Sequence, residues 1–486
     1  MILHLIDNTF GYEMEKLSMA FFPDRKIRID PDEEAGETEF ITVSRSSEDG
    51  PDIIFAEFRD IAENIHTEAS EPVPDGEDPE LAAGRALYRT LSEATGLRPP
   101  WGILTGVRPS KVMTKHIAAS GEADAKAYFR NSLYVTPERT AFAARVSKAE
   151  QAIMDTTTEE SISFYVGIPF CTSRCSYCSF VSESIASPRA RSLYPAYFDN
   201  LLEEIRVTGE IAAETGRVLR TIYVGGGTPS TLSAEQTLLL LQTIRESFDL
   251  SHCSELTFEA GRADSITAEK LAAMKEGGAD RISINPQTMT DAILEAVGRN
   301  HTVQDVYDVF EAARSVGFGN INMDLIAGLP GDTPENFRRS LEDVIALGPE
   351  SVTVHTLAYK RSSSLLPAKE LFARGTDTTA MVDTANGLLD TNGYLPYYMY
   401  RQTRSVGNLE NVGWAKQGFE SAYNVFMMEE CQSVFACGAG AVTKLLVPGT
   451  TDIIRIFNYK YPYEYVDRFD TLLANKEKIR SFYQDH

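Results

Sequence analysis

Three cysteines crowd into the end of Tyr165-Val-Gly-Ile-Pro-Phe-Cys171-Thr-Ser-Arg-Cys175-Ser-Tyr177-Cys178, a C-x3-C-x2-C spacing directly after an apolar run. Thiolates at this spacing can wrap three corners of a cubane iron–sulfur cluster and leave the fourth iron open to another ligand. A zinc site is the alternative, and it needs a fourth protein ligand in closed tetrahedral geometry. None is offered nearby, because Cys253, Cys431 and Cys437 lie far along the chain. Cys431 and Cys437, six apart in an apolar setting, read as core thiols.

A second element follows in Tyr223-Val-Gly-Gly226-Gly227-Thr228-Pro-Ser230. Its glycines let backbone approach a ligand closely, and a helix start there can face a charged group. A tight strand-to-helix turn capped by Ser or Thr would leave the same trace. Glu259 closes an apolar run, Leu256-Thr-Phe-Glu-Ala. An acidic residue at the C-terminal end of a barrel strand points towards the site. Gln287 ends Arg281-Ile-Ser-Ile-Asn-Pro-Gln, Arg299 stands in Gly298-Arg-Asn-His301, and Asp324 in Ile321-Asn-Met-Asp. Each alone is commonplace. Together an amide, a guanidinium and a carboxylate suit a zwitterionic amino acid, whose carboxylate and ammonium they can pair. Gly407 to Trp414 and Gly438-Ala-Gly-Ala441 are open between tight packing and ligand contact.

These residues need a frame that brings strand ends together. From residue 161 short apolar strands alternate with helical periodicity: Phe164–Ile168, Thr221–Val224, Glu255–Glu259, Arg281–Ile284, Ile321–Ile326 and Ser351–Leu357. Six such βα units predict an α/β fold, a partial (β/α)6 barrel over residues 161–365. Residues 1–160 read as a separate α+β domain with strands near Met1–Ile6, Glu39–Ser44 and Ile53–Phe58. That domain has an acidic turn from Asp30, a Pro-rich linker over Glu71–Glu80, and helices near Leu81–Ala94, Lys111–Ala119 and Pro137–Met154. Residues 366–486 form a small C-terminal domain. Its expected elements are a helix near Thr378–Asp390, strands near Leu395–Tyr400 and Tyr423–Met428, and a last helix near Glu464–Tyr483.

The formal charge is 46 − 70 = −24, which repels phosphate backbones and anionic lipid, so no nucleic-acid partner is expected. No apolar run approaches a membrane span, and the first residues lack the basic flank of a signal peptide. Sparse cysteines exclude a disulfide scaffold, and a reducing cytoplasm is the expected setting.

The cysteine loop, with its flanking Tyr-Val-x-Ile-Pro-Phe-Cys, resembles that of the radical S-adenosylmethionine (SAM) enzymes. Within them it resembles the oxygen-independent coproporphyrinogen III oxidase family, closest to the HemZ branch, from about residue 163 onward; Thr105-Gly-Val-Arg-Pro-Ser110 is reminiscent of that branch too. The resemblance implies a [4Fe–4S] cluster on Cys171, Cys175 and Cys178 and one or two SAM molecules. Tyr165, the Gly226-Gly227-Thr228 turn, Glu259 and the backbone at Ala358 match contacts to the first SAM; Tyr177 fills the aromatic position before the third cysteine. Gln287, Arg299 and Asp324 match residues that line a second SAM. In such enzymes an electron from the cluster cleaves SAM to a 5′-deoxyadenosyl radical, while the protein orients and excludes water.

The implied activity is oxidative decarboxylation of two propionates of coproporphyrinogen III to vinyl groups in heme biosynthesis, with a flavodoxin or ferredoxin as electron donor. A heme-binding chaperone, a radical SAM methyltransferase and a heme-degrading enzyme are the competing functions. Three departures bear on substrate rather than cofactor. Gly167 replaces a histidine, Ser179-Phe180 follow the third ligand where the oxidase has another cysteine, and the oxidase's N-terminal extension is not recognisable. A substrate with four carboxylates also calls for basic side chains at the mouth, with Lys360, Arg361, Arg401, Arg404 and Lys444 as candidates.

Overall fold

A computed structural model describes residues 1–30, 36–46, 51–180, 182–359 and 375–486. Six strands carry the expected alternation: β1 Ser161–Ile168, β2 Val218–Gly226, β3 Glu255–Gly261, β4 Arg281–Gln287, β5 Ile321–Ala327 and β6 Ser351–Thr356. Each pairs with the next in parallel register. Apolar and polar residues alternate along these strands: Phe164, Val166, Ile222, Phe258, Ile284 and Met323 are buried on one face, while Ser163, Thr221, Thr257, Ser283, Asn322 and Thr353 put buried polar side chains on the other. The helices begin where the chain supplies caps. Ser233 and Gln236 form a capping box at Ala234–Ser247, Thr302 and Asp305 another at Val303–Val316, and Thr333 caps Pro334–Leu347. Because every crossover returns the next strand in the same direction, all six C-terminal ends lie at one end of the partial barrel.

The segment after residue 375 extends this sheet on both edges. β7 Leu395–Arg401 and β8 Glu410–Ala415 run antiparallel beyond β6, whereas β9 Ser433–Cys437 lies parallel to β1, followed by β10 Val442–Leu446 and β11 Ile453–Phe457. The order across the sheet is β7-β8-β6-β5-β4-β3-β2-β1-β9-β10-β11. Both edges of the six-stranded unit are thus paired. The run Tyr423–Met428, expected as a strand, belongs to a helix, Ala422–Glu429, started by Ser421 Oγ accepting from the Asn424 N–H. Six residues, five of them apolar, fit either period, and the cap decides between them. The expected last helix is two, Pro462–Asp467 and Phe469–Asp485, broken at Arg468.

Residues 1–154 build a second sheet, in the order Arg28–Ile29, Ile2–Ile6, Glu39–Ser46, Ile53–Asp60, Ile65–Pro72, with helices packed against it. The acidic turn after Asp30 lies outside the described residues. Helix Gly11–Phe21 and strand Ile65–Pro72 were not expected; the strand is polar, and no residue of it is fully buried. Pro72 sits on an edge strand, where a missing N–H is tolerated, and Asp78 and Pro79 then start helix Pro79–Thr95. The Thr105–Ser110 motif is a docking segment. Arg108 donates to the Met428 carbonyl (2.9 Å) and to Glu430 (3.0 Å), and the Val107 carbonyl accepts from the Arg401 N–H (2.7 Å).

Glu204 anchors the opposite edge. Its buried carboxylate accepts from the Gly438 N–H (2.8 Å), Asn458 (2.7 Å) and Tyr465 (2.6 Å), and Lys476 Nζ lies at 2.8 Å. Gly438, at φ 100°, is a packing position, since a Cβ there would stand 2.2 Å from the Gly167 carbonyl oxygen. Removing one partner of a buried ion pair strands the other charge. Lys476→Met should therefore lower the unfolding free energy by about 3–5 kcal/mol in denaturant titration; an unchanged midpoint would contradict this account of the edge.

Candidate active site

The C-terminal ends of the six barrel strands open onto a cavity of about 460 Å³. Cys171, Cys175, Cys178, Tyr177 and the Gly226–Thr228 turn line one side, and Glu259, Gln287, Arg299, Asp324 and Ala358 the rest. Tyr165 stands just behind, its Oη 3.3 Å from the position a Cβ on Gly226 would take. The residues singled out along nearly two hundred positions of chain therefore meet at one mouth.

The cysteine loop is held from three sides. Cys171 lies on a two-residue strand paired with Glu183–Ser184. The Gly227 N–H donates to the Ile168 carbonyl and the Thr228 N–H to the Phe170 carbonyl, both at 2.7 Å. Across the mouth, the Ser176 N–H donates to the Val297 carbonyl (3.0 Å) and Ser173 Oγ to the Gly298 carbonyl (3.1 Å). Arg262, three residues beyond Glu259, was missed from sequence. Its guanidinium is paired with Asp264 and donates to the Ser173 carbonyl (3.1 Å) and to Cys175 Sγ (3.4 Å). Arg262 thereby places a cation beside one of the three candidate ligands and ties the loop to the end of β3.

The residues fit a cluster better than a single ion. Among the described residues no three His, Cys, Asp or Glu side chains converge on one ion-sized point. A cubane takes each thiolate on a separate iron and needs no such convergence. A Cβ on Gly227 would lie 3.1 Å from Cys171 Sγ, so this glycine keeps the space beside that sulfur open. Gln287 supports a ligand on the opposite wall: it sits at φ 69°, beside a register shift in β4, and its Oε1 is buried with no hydrogen-bond partner among the described residues. A bulge re-aims a side chain, and an orphan acceptor in a cavity calls for a donor from outside.

Two carboxylates share the cavity in opposite states. Burial, with Asp324 close by, pushes Glu259 up to about 8. Asp324 is held below its ordinary value: burial alone would raise it, but His355 (3.7 Å) and Asn322 Nδ2 (2.7 Å) outweigh that. Near neutral pH Glu259 can therefore donate a proton while Asp324 accepts hydrogen bonds. His355 and Tyr400, whose Nδ1 and Oη are 3.4 Å apart, were also missed; a strand-end His and a lone Tyr carry no spacing signal. Arg299 Nε donates to Tyr177 Oη (3.2 Å), and its Nη1 donates to the Asn285 carbonyl.

Of the basic residues expected at this mouth, the three that are described do not line it. Arg401 and Arg404 line a different cavity, and Lys444 is paired with Glu430 at 3.1 Å. Lys360 and Arg361 lie outside the described residues.

Comparison with known proteins gives the same direction. The radical SAM superfamily model matches residues 165–344. The chain is 38% identical over 399 residues, 81% of its own length and 79% of the relative's, to the oxygen-independent coproporphyrinogen-III oxidase-like protein HemZ of Bacillus subtilis. It is 33% identical over 284 residues, 57% of this chain and 70% of the relative, to the heme chaperone HemW of the same bacterium. The solved coproporphyrinogen III oxidase (HemN) from Escherichia coli, a radical SAM enzyme, superposes with a TM-score of 0.50 and 21% identity over 67% of this chain and 73% of that one. That likeness is one of fold.

Glu259 gives this geometry a pH signature. Its folded pKa of about 8 exceeds the ordinary 4.5, so between those values the folded state holds a proton the unfolded state has lost. Native stability must fall as pH rises through that window. Cofactor-free Glu259→Gln protein should match the native protein near the acid end of the window. It should exceed it by a few kcal/mol at the alkaline end, one pKa unit being about 1.4 kcal/mol. Denaturant unfolding at both ends checks this, and an equal difference at the two would contradict it.

Proposed function

The chain belongs to the oxygen-independent coproporphyrinogen III oxidase-like family of radical SAM proteins, and from that membership we propose an oxidoreductase that decarboxylates propionate arms of a tetrapyrrole to vinyl groups. The family carries a [4Fe–4S] cluster and SAM. The observation that carries the reading is the meeting of three thiols, a glycine turn and two carboxyl groups in opposite protonation states in one cavity.

Cys171, Cys175 and Cys178 hold the cluster in this reading. Tyr165, Tyr177, Gly226, Gly227, Thr228, Glu259 and the Ala358 backbone hold the first SAM. When bound, the two cofactors supply reductive cleavage of a carbon–sulfur bond and hence a radical able to take hydrogen beside a carboxylate. The protein's part is placement. Backbone at Gly226 and Gly227 leaves room for close approach, and neutral Glu259 offers a hydrogen bond without adding a second negative charge beside Asp324. Gln287, Arg299 and Asp324 are offered to a second SAM. The Arg299 guanidinium already meets Tyr177, the Asn285 carbonyl and Cys175, so it joins the cysteine loop to this side of the cavity. A flavodoxin or ferredoxin in the cytoplasm supplies electrons, in keeping with the lack of any membrane-crossing helix among the described residues.

A heme-carrying role without turnover is the second reading, favoured by the identity to HemW. Anaerobic incubation with SAM, a strong reductant and coproporphyrinogen III should yield a tetrapyrrole of lower mass, from loss of carboxyl groups. Unchanged porphyrinogen together with a stable one-to-one heme complex would select the carrier instead, and a gain in mass would point to methyl transfer.

Serine is a harder, poorer ligand for iron–sulfur centres than thiolate. Cys171→Ser, Cys175→Ser and Cys178→Ser should each abolish the brown absorption of reconstituted protein, while Cys431→Ser should retain it. Stoichiometric zinc without iron in anaerobically prepared protein would end the cluster assignment.

A further inference from the structure

A second cavity, about 750 Å³ in volume, lies where residues 1–154 meet the turn after β7. Four cations line it, Lys16, Arg98, Arg401 and Arg404, against two acids, Asp24 and Asp383. Both acids are already paired, Asp24 with Arg25 (3.3 Å) and Asp383 with Arg139 (2.9 Å). The cations are not so matched. Arg98 and Arg404 have no ion-pair partner among the described residues, and Lys16 has only its neighbour Glu15 at 3.9 Å.

Arg401 is 4% exposed; its Nη1 donates to the carbonyls of Leu104 and Gly106, and its Nε has no hydrogen-bond partner among the described residues. Glu410, across from it on β8, is taken up by Trp101 (2.8 Å) and Arg139 (3.0 Å). A buried guanidinium served mainly by neutral carbonyls is costly unless an anion joins it. In a chain of net charge −24 the described residues of this cavity therefore carry a local positive surplus. Guanidinium forks match carboxylates in particular.

The cavity adjoins the reaction site. Gln402 lines both. The arginine-bearing turn is bound to the edge of the reaction cavity by the bridge between Ala358 and Ser405, and by hydrogen bonds from the Tyr359 N–H to the Arg404 carbonyl (3.0 Å) and from the Val406 N–H to the Leu357 carbonyl (2.8 Å). Arg404 is held there at φ 63°, a conformation that non-glycine residues seldom adopt and that persists where surroundings enforce it.

We propose that this second cavity seats carboxylate arms of the tetrapyrrole, with Arg98 and Arg404 as the anion-binding pair and Arg401 behind them. The N-terminal unit then supplies part of the substrate site. The inference rests on the tetrapyrrole reading above, and the test separates the two. Coproporphyrin III, which bears four carboxylates, is titrated into the full chain after anaerobic cluster reconstitution, at low and high salt, with fluorescence as the readout. The double variant Arg98→Gln/Arg404→Gln should bind about ten-fold or more weakly at low salt, the loss expected for charged hydrogen bonds. It should also show a flatter salt dependence. Arg338→Gln, which removes one exposed charge on the barrel's outer helix, should bind as the native protein does. Iron content equal to native shows that each variant is folded. Native binding with an unaffected double variant would overturn this inference alone. A native protein that binds no porphyrin would overturn the tetrapyrrole reading and this inference with it.

Discussion

The mouth of the barrel depends on how closely two backbone turns can approach. β1 and β2 stay paired up to Ile168 and Gly226, so the chain leaving β1 and the chain leaving β2 emerge side by side. A Cβ on Gly227 would stand 2.6 Å from the Phe170 carbonyl oxygen and 2.9 Å from that of Ile168. Only glycine allows this approach, and the two 2.7 Å hydrogen bonds formed there fix the cysteine loop to the second strand. Once that contact is made, Arg262 from beyond β3 and the Val297–Gly298 backbone from beyond β4 reach the same loop. Strand pairing, set far below by buried apolar side chains, thereby positions three thiols to within hydrogen-bond tolerance.

Electrostatics at the mouth runs against the charge of the whole chain. Arg262, Arg281 and Arg299 are buried around the cavity of a strongly acidic protein, and Glu259 there is kept neutral. Arg262 is balanced by Asp264, so Asp324 and the guanidinium groups of Arg281 and Arg299 are buried charges a ligand meets there, and low dielectric strengthens each such interaction. The second, cationic cavity lies where residues 1–154 meet the turn after β7.

Much of this was legible in the sequence because it rests on spacing. The six barrel strands, their order and the end at which Cys171, Gly226, Glu259, Gln287 and Asp324 meet follow from alternation and from motifs placed at strand ends. What spacing does not record was missed. Tyr423–Met428 is a helix because of a serine cap, and strand Ile65–Pro72 is polar on both faces, so neither shows its period in hydrophobicity. Arg262, His355 and Tyr400 come from three separate segments, and only the fold brings them to the cavity. Arg401 and Arg404 were offered as candidate cations for the reaction mouth, whereas they line another cavity with Lys16 and Arg98, which lie about three hundred or more residues earlier.

The central claim is that Cys171, Cys175 and Cys178 would hold a cluster with one iron free to take SAM, whose other contacts would come from the Gly226–Glu259 residues lining the same cavity. Electron paramagnetic resonance of the anaerobically reconstituted, chemically reduced protein, recorded with and without SAM, tests it most directly. Coordination of SAM at the open iron predicts a reduced-cluster signal whose g-values move on addition of SAM, and an isotope-labelled SAM methionyl nitrogen that couples to it. A reduced cluster whose signal is unchanged by saturating SAM, with no such coupling, would contradict the account.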